Sequence, residues 1–104
     1  MFQKCRITVV KRMLNREAAN EFLAEPAKLS KCDIVADGQE FIISSPYEMP
    51  EGICASAWAD IRPYIIAAAS GGSFPMMKNP DAIVAACSDL FRPVIFKIEK
   101  IVFS

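Results

Sequence analysis

Two stretches near opposite ends of the chain alternate between apolar and polar side chains, and this alternation constrains the fold more than any other feature. In Cys5–Met13, the side chains of Cys5, Ile7, Val9 and Met13 point one way, and those of Arg6, Thr8 and Arg12 the other. In Arg92–Phe103, Val94, Phe96 and Ile98 oppose Ile95, Lys97 and Glu99. Residues that alternate in this way lie on opposite faces of a β-strand, so each segment presents one face to a core and one to water. A long one-sided strand needs neighbours and a covering layer, which predicts that the first and last strands lie side by side in one sheet. The alternation slips at Glu99-Lys100, after which Ile101 and Phe103 hold the apolar parity, so a β-bulge is expected there.

Between these ends the punctuation is clear. Asn15 is placed to cap a short helix, Arg16–Ala24, with Glu17 in its first turn; Ala18, Phe22 and Leu23 form its apolar stripe and Pro26 ends it. Ala27–Gly38 reads as a polar connector carrying Cys32, and Asp37-Gly38 turns the chain into a short strand, Gln39–Ser44. Ser45–Gly52, with two prolines and a glycine, is an ordered loop. Ile53–Ser70 is helical, ended by Gly71-Gly72, but Pro63 interrupts it. Either one helix kinks at Pro63, or an irregular turn passes through Trp58 and a new helix starts near Arg62-Pro63 with Asp60 as its cap. An irregular stretch opens at Phe74-Pro75, Asp81–Cys87 is a strand, and Ser88–Phe91 turns it back.

The order is therefore β-α-β-α-β-β in a single α+β domain spanning residues 1–104. The expected architecture is a mixed sheet of about four strands with two helical segments packed on it. A small barrel-like closure is the alternative. A chain of this mass buries about two-thirds of its extended surface on folding, enough for a core without staples. Its 53% hydrophobic content and zero formal net charge leave a surplus of apolar surface with no repulsion between copies, so a homo-oligomer is expected. Balanced charge, with the basic cluster Lys11-Arg12 and Arg16 beside Glu17 and Glu21, excludes nucleic acid as a partner. The charged N-terminal residues fit no signal peptide and the longest apolar run, Tyr64–Ala69, is too short for a bilayer, so no membrane partner and a cytoplasmic location are expected.

The chain contains no histidine, which removes Ser-His-Asp triads, Cys-His pairs and His-ligated zinc. Its four glycines match neither a dinucleotide nor a P-loop pattern. Thiols, carboxylates and arginines remain. Cys5 shares a face with Ile7 and Val9 and reads as core. Cys32 and Cys54 stand in or beside polar loops and Cys87 ends a strand; in a reducing compartment these three could converge on zinc or an iron–sulfur cluster, or act in redox. Cys54 also precedes a helix, where the N-terminus lowers a thiol pKa. A second constellation, Trp58, Asp60 and Arg62 with Asp89 and Arg92, offers two guanidinium forks for a small anionic ligand if the two segments meet. The carboxylates Asp37, Glu40, Glu48 and Glu51 show no recognisable acid/base pairing.

The ordered segments Met49-Pro50-Glu51-Gly52-Ile53-Cys54, Ala57–Pro63 (AWADIRP), Gly71-Gly72-Ser73-Phe74-Pro75 and Arg92–Glu99 (RPVIFKIE) resemble a family of small uncharacterised proteins found largely in anaerobic bacteria and archaea. The resemblance implies a stand-alone domain in a reducing cytosol, without an established activity. It also implies cysteines at the positions of Cys32, Cys54 and Cys87, with no regular counterpart of Cys5. The chain departs from the pattern at Met76, where an aromatic is usual, at Ala86, where a second cysteine is frequent, and at Leu90, where glycine is usual. Ala86 leaves a four-thiolate site one ligand short.

Three functions are expected on these grounds. The first is a non-enzymatic, oligomeric binding or accessory module for a small anion or protein partner near Trp58, Arg62 and Arg92. The second is a thiolate-based metal or redox module using Cys32, Cys54 and Cys87. The third is a cysteine- or carboxylate-dependent enzyme.

Overall fold

A computed structural model describes residues 2–101 of the chain. It contains β1 (Cys5–Arg12), α1 (Arg16–Phe22), a 3-10 turn at Pro26–Lys28, β2 (Glu40–Ile43), α2 (Ala55–Ala69), β3 (Ala82–Ala86) and β4 (Val94–Lys100). The four strands form one open sheet in the order β2-β1-β4-β3. This is the expected α+β domain, with β1 beside β4 at its centre and no closure into a barrel.

Every neighbouring pair is antiparallel, not mixed as expected. The α2 crossover joins β2 to β3, and these strands lie at opposite edges of the sheet. A crossover makes a parallel pair only when it returns the chain beside the strand it left.

The apolar alternation places Cys5, Ile7 and Val9 of β1, Phe41 and Ile43 of β2, and Val94, Phe96 and Ile98 of β4 on one buried face. Against it lies α2, whose Ala57, Trp58, Ile61, Ile65, Ala68 and Ala69 form a buried stripe at helical spacing. The α1 segment does not join this layer. Its cap is as expected, with Asn15 Oδ1 accepting from Ala18 N–H at 3.1 Å. Only Ala19 is buried, however, and Phe22 is 68% exposed, because the seven-residue helix docks on the Pro26–Lys28 turn. Two turns are too short to carry a stripe across a sheet.

Pro63 lies inside an unbroken α2, so the two-helix solution and the capping role of Asp60 both fall away. Proline at this position removes the donor that Ala59 C=O would use. Ala59 and Pro63 are both exposed, so the freed carbonyl belongs to the solvent-facing side of the helix.

The helix ends where expected, at Ser70, and Gly71 adopts φ +89°. Gly72 is constrained differently. A Cβ there would sit 2.8 Å from the backbone oxygen of Ala67. Gly71→Ala should therefore cost about 1 kcal/mol through its backbone conformation. Gly72→Ala should cost at least as much, about 1–3 kcal/mol, because a backbone atom must move. Thermal unfolding of the two variants checks the order, and a stabilised Gly72→Ala would contradict it.

The bulge lies in β1 and not at Glu99-Lys100. The β1–β4 register runs without a break from Cys5↔Lys100 to Val9↔Phe96, then shifts so that Lys11 faces Ile95 and Arg12 faces Val94. Val10 is the extra residue. It reverses the facing of the residues after it, so Arg12, expected outside, joins the side of Val94 and Phe96, while Met13 is partly exposed. The expected parity of Phe103 falls outside the described residues.

Among the described residues, no helix is long and apolar enough to cross a membrane.

Candidate functional site

A cavity of about 350 Å³ opens between the N-terminal end of α2, the connector before β2 and the β3–β4 turn. Cys32, Cys54 and Cys87 all line it, above an apolar floor that includes Val35, Ala57 and Phe96. All four cysteines of the chain are free thiols, and Cys5 is fully buried in the core, as its strand position predicts. Burial pushes the Cys5 thiol pKa up, against a smaller opposing pull from Lys100.

Each thiol on the cavity has its own support. Cys87 follows β3, and its sulfur accepts from Val94 N–H at 3.3 Å. Cys32 lies in a segment without regular structure, and Arg12 fastens that segment. The Arg12 guanidinium donates to Cys32 O at 3.0 Å and to Asp37 Oδ1 at 3.1 Å, and Arg12 N–H reaches the same carboxylate at 2.9 Å. These bonds hold the Asp37 carboxyl below its ordinary pKa, the Arg12 backbone bond first. The bulge at Val10 makes the contact by turning Arg12 inward. Reading β1 as a regular strand hides this residue; the adjacent apolar pair Val9-Val10 is the available signal.

Cys54 is the N-cap residue of α2. Its sulfur closes no ordinary cap hydrogen bond, yet the Ala57 N–H, and after it that of Ser56, favour the thiolate and lower the pKa. Partial burial and the charge of Asp60 oppose this.

The anion constellation divides into two places. Residues two apart on a continuous helix point to nearly opposite sides, so Asp60 and Arg62 cannot share a site once α2 is unbroken. Asp60, Asp89 and Arg92 line the thiol cavity. Trp58 and Arg62 line a separate shallow groove with Tyr47, where Arg62 donates to Pro46 O at 2.9 Å and its guanidinium sits 5.2 Å from the Tyr47 ring centre. Arg62 and Arg92 therefore do not form a two-guanidinium clamp.

Within the cavity Arg92 is already engaged, donating to Asp89 Oδ2 at 3.1 Å. Burial raises the Asp89 pKa, but the Arg92 N–H, its guanidinium and the Phe91 N–H outweigh it and hold the carboxyl below its ordinary value. The same pairing raises the Arg92 pKa. Asp60 Oδ2 accepts from Ser88 N–H at 2.7 Å and ties the β3–β4 turn to α2. Two carboxylates to one guanidinium make the cavity wall acidic before any thiolate is counted.

Among the described residues, no group of three or more Cys, Asp or Glu side chains is arranged to hold a metal ion. The three thiols share a cavity without forming a ready zinc or iron–sulfur ligand set. Comparison of the chain with known protein families, curated proteins and solved structures found no match. The site's own chemistry is a thiol with a lowered pKa, two further thiols, and an acidic rim over an apolar floor.

Proposed function

We propose that the domain is a thiolate-based binding module that takes a small neutral or cationic ligand with an electrophilic or soft centre, engaged by Cys54. The observation that carries this reading is the convergence of Cys32, Cys54 and Cys87, far apart in the chain, on one cavity. Ile34, 54% exposed on the cavity lining, supplies apolar contact for the body of the ligand. The acidic wall disfavours an anion, and the separation of Arg62 from Arg92 leaves the small-anion reading with less support. A reducing cytosol belongs to the same proposal, since it keeps the thiols free.

Site-resolved alkylation by iodoacetamide, followed by mass spectrometry under reducing conditions, tests it. At pH 7, Cys54 should react at least about tenfold faster than Cys5, and its rate should level off at a lower pH than in the urea-unfolded chain. Equal Cys54 rates in the folded and unfolded chains would overturn the assignment. The sign carries over to stability. A thiol pKa lowered by folding adds stability above the unfolded thiol pKa, and this is lost as pH falls through the folded value.

A further inference from the structure

We propose that β3 is a self-pairing edge, and that two copies of the chain join antiparallel along Ala82–Ala86 about a two-fold axis at Val84. The hydrogen-bond register supplies the argument. Cys87 N–H donates to Val94 O at 3.1 Å and Lys100 N–H to Asp81 O at 3.0 Å. In the β3–β4 register these fix residues 81, 83, 85 and 87 as the ones bonded to β4. The peptide groups of Ala82, Val84 and Ala86 then point away from the sheet, at an edge no other strand covers.

Those groups match a second copy of themselves. Ala82 N–H is occupied by Asn79 O at 3.1 Å. Val84 N–H and C=O, Ala86 N–H and Ala82 C=O have no protein partner among the described residues. With the axis at Val84, the two Val84 residues exchange both of their bonds, and each Ala86 N–H meets the partner copy's Ala82 C=O. Ala82–Ala86 (AIVAA) contains no charge to repel its copy, and Val84, 48% exposed, packs against its equivalent across the axis.

Edge strands in monomeric proteins are usually guarded by charge, proline or a bulge. The opposite edge, β2, has such a guard in Glu40, ion-paired to Arg6 at 3.8 Å. β3 has none. An open groove of about 490 Å³ runs beside it, bounded by Met76–Asn79, and Met76 is 73% exposed. The apolar surplus and zero net charge of the chain find a use in this contact.

Sedimentation equilibrium of the full chain tests the proposal, with Val84→Pro and Val84→Lys as variants. Proline removes only an outward N–H, so β3 keeps its bonds to β4. The wild type should be dimeric, Val84→Pro should weaken the dimer on the order of a hundredfold, and Val84→Lys should be monomeric. Ile42→Lys, on the far edge, should remain dimeric. A monomeric wild type, or a dimer unchanged by both folded Val84 variants, would overturn the proposal. If neither variant folds, wild-type amide exchange decides: protection of Val84 and Ala86 that falls on dilution supports the pairing, and rapid exchange at all concentrations refutes it.

Discussion

Phe96→Ala is expected to lower the unfolding free energy by about 3–5 kcal/mol, a large share of the roughly 5–15 kcal/mol that holds a domain of this size together. Phe96 is 1% exposed at the centre of the sheet, facing Val9 on one side and Ala85 on the other. Truncation removes the ring's burial and leaves a void that the paired β1 and β4 backbones cannot close. Phe96→Leu, which fills most of that volume, should cost about 1–2 kcal/mol. Phe22→Ala, at an exposed ring on α1, should stay within about 0.5 kcal/mol of the wild type. Urea unfolding reads all three, as a fall in midpoint with little change in slope. A loss below about 1 kcal/mol for Phe96→Ala would mean that the core is not centred on β4.

Asp60→Ala should lower stability and raise the reactivity of Cys54 together. The Asp60 carboxylate holds Ser88 N–H at 2.7 Å, and its charge opposes the Cys54 thiolate. Hydrogen bonds to charged groups are worth about 1.5–3 kcal/mol, and exposure at Ser88 brings the expected loss to about 1–2 kcal/mol. Removing the charge lowers the Cys54 pKa further, so alkylation should reach its plateau at lower pH than in the wild type. Asp60→Asn separates the two effects. It keeps an acceptor for Ser88 N–H and should recover much of the stability, while the Cys54 pKa still falls. A slower Cys54 in the asparagine variant would show that Asp60 acts on the thiol by positioning it and not by charge.

The central strands were legible because one-sided alternation encodes burial directly: Ile7, Val9, Phe96 and Ile98 are all buried as their spacing predicts. The helix cap at Asn15 and the end of α2 were legible for the same local reason. The bulge was not. Val9 and Val10 are interchangeable to a pattern argument, and which of them is extra depends on how β4 meets them. The inward facing of Arg12, and with it the anchor of Cys32, depends on that bulge and has no signature in the alternation.

Pro63 left two backbones open, and the choice between them decided the site. A continuous helix sends Asp60 toward the thiols and Trp58 and Arg62 toward Tyr47. The meeting of three cysteines is a property of the tertiary path: Cys32 lies in a connector, Cys54 caps a helix and Cys87 follows a strand. No local spacing records that they share one cavity.

The pairing of β1 with β4 also governs how the chain reaches its native state. Among the described residues the two central strands are the first and last elements, with the others between them. Closing a loop of that length costs roughly 4 kcal/mol of chain entropy before the central ladder returns anything. The β1–β2 pair alone is too small to stand in water. During synthesis the sheet therefore has no stable partial form until Val94–Lys100 has left the ribosome, and Cys5, Ile7 and Val9 remain exposed until then. The domain should fold late and in one cooperative step, on the milliseconds-to-seconds scale of folds dominated by distant contacts.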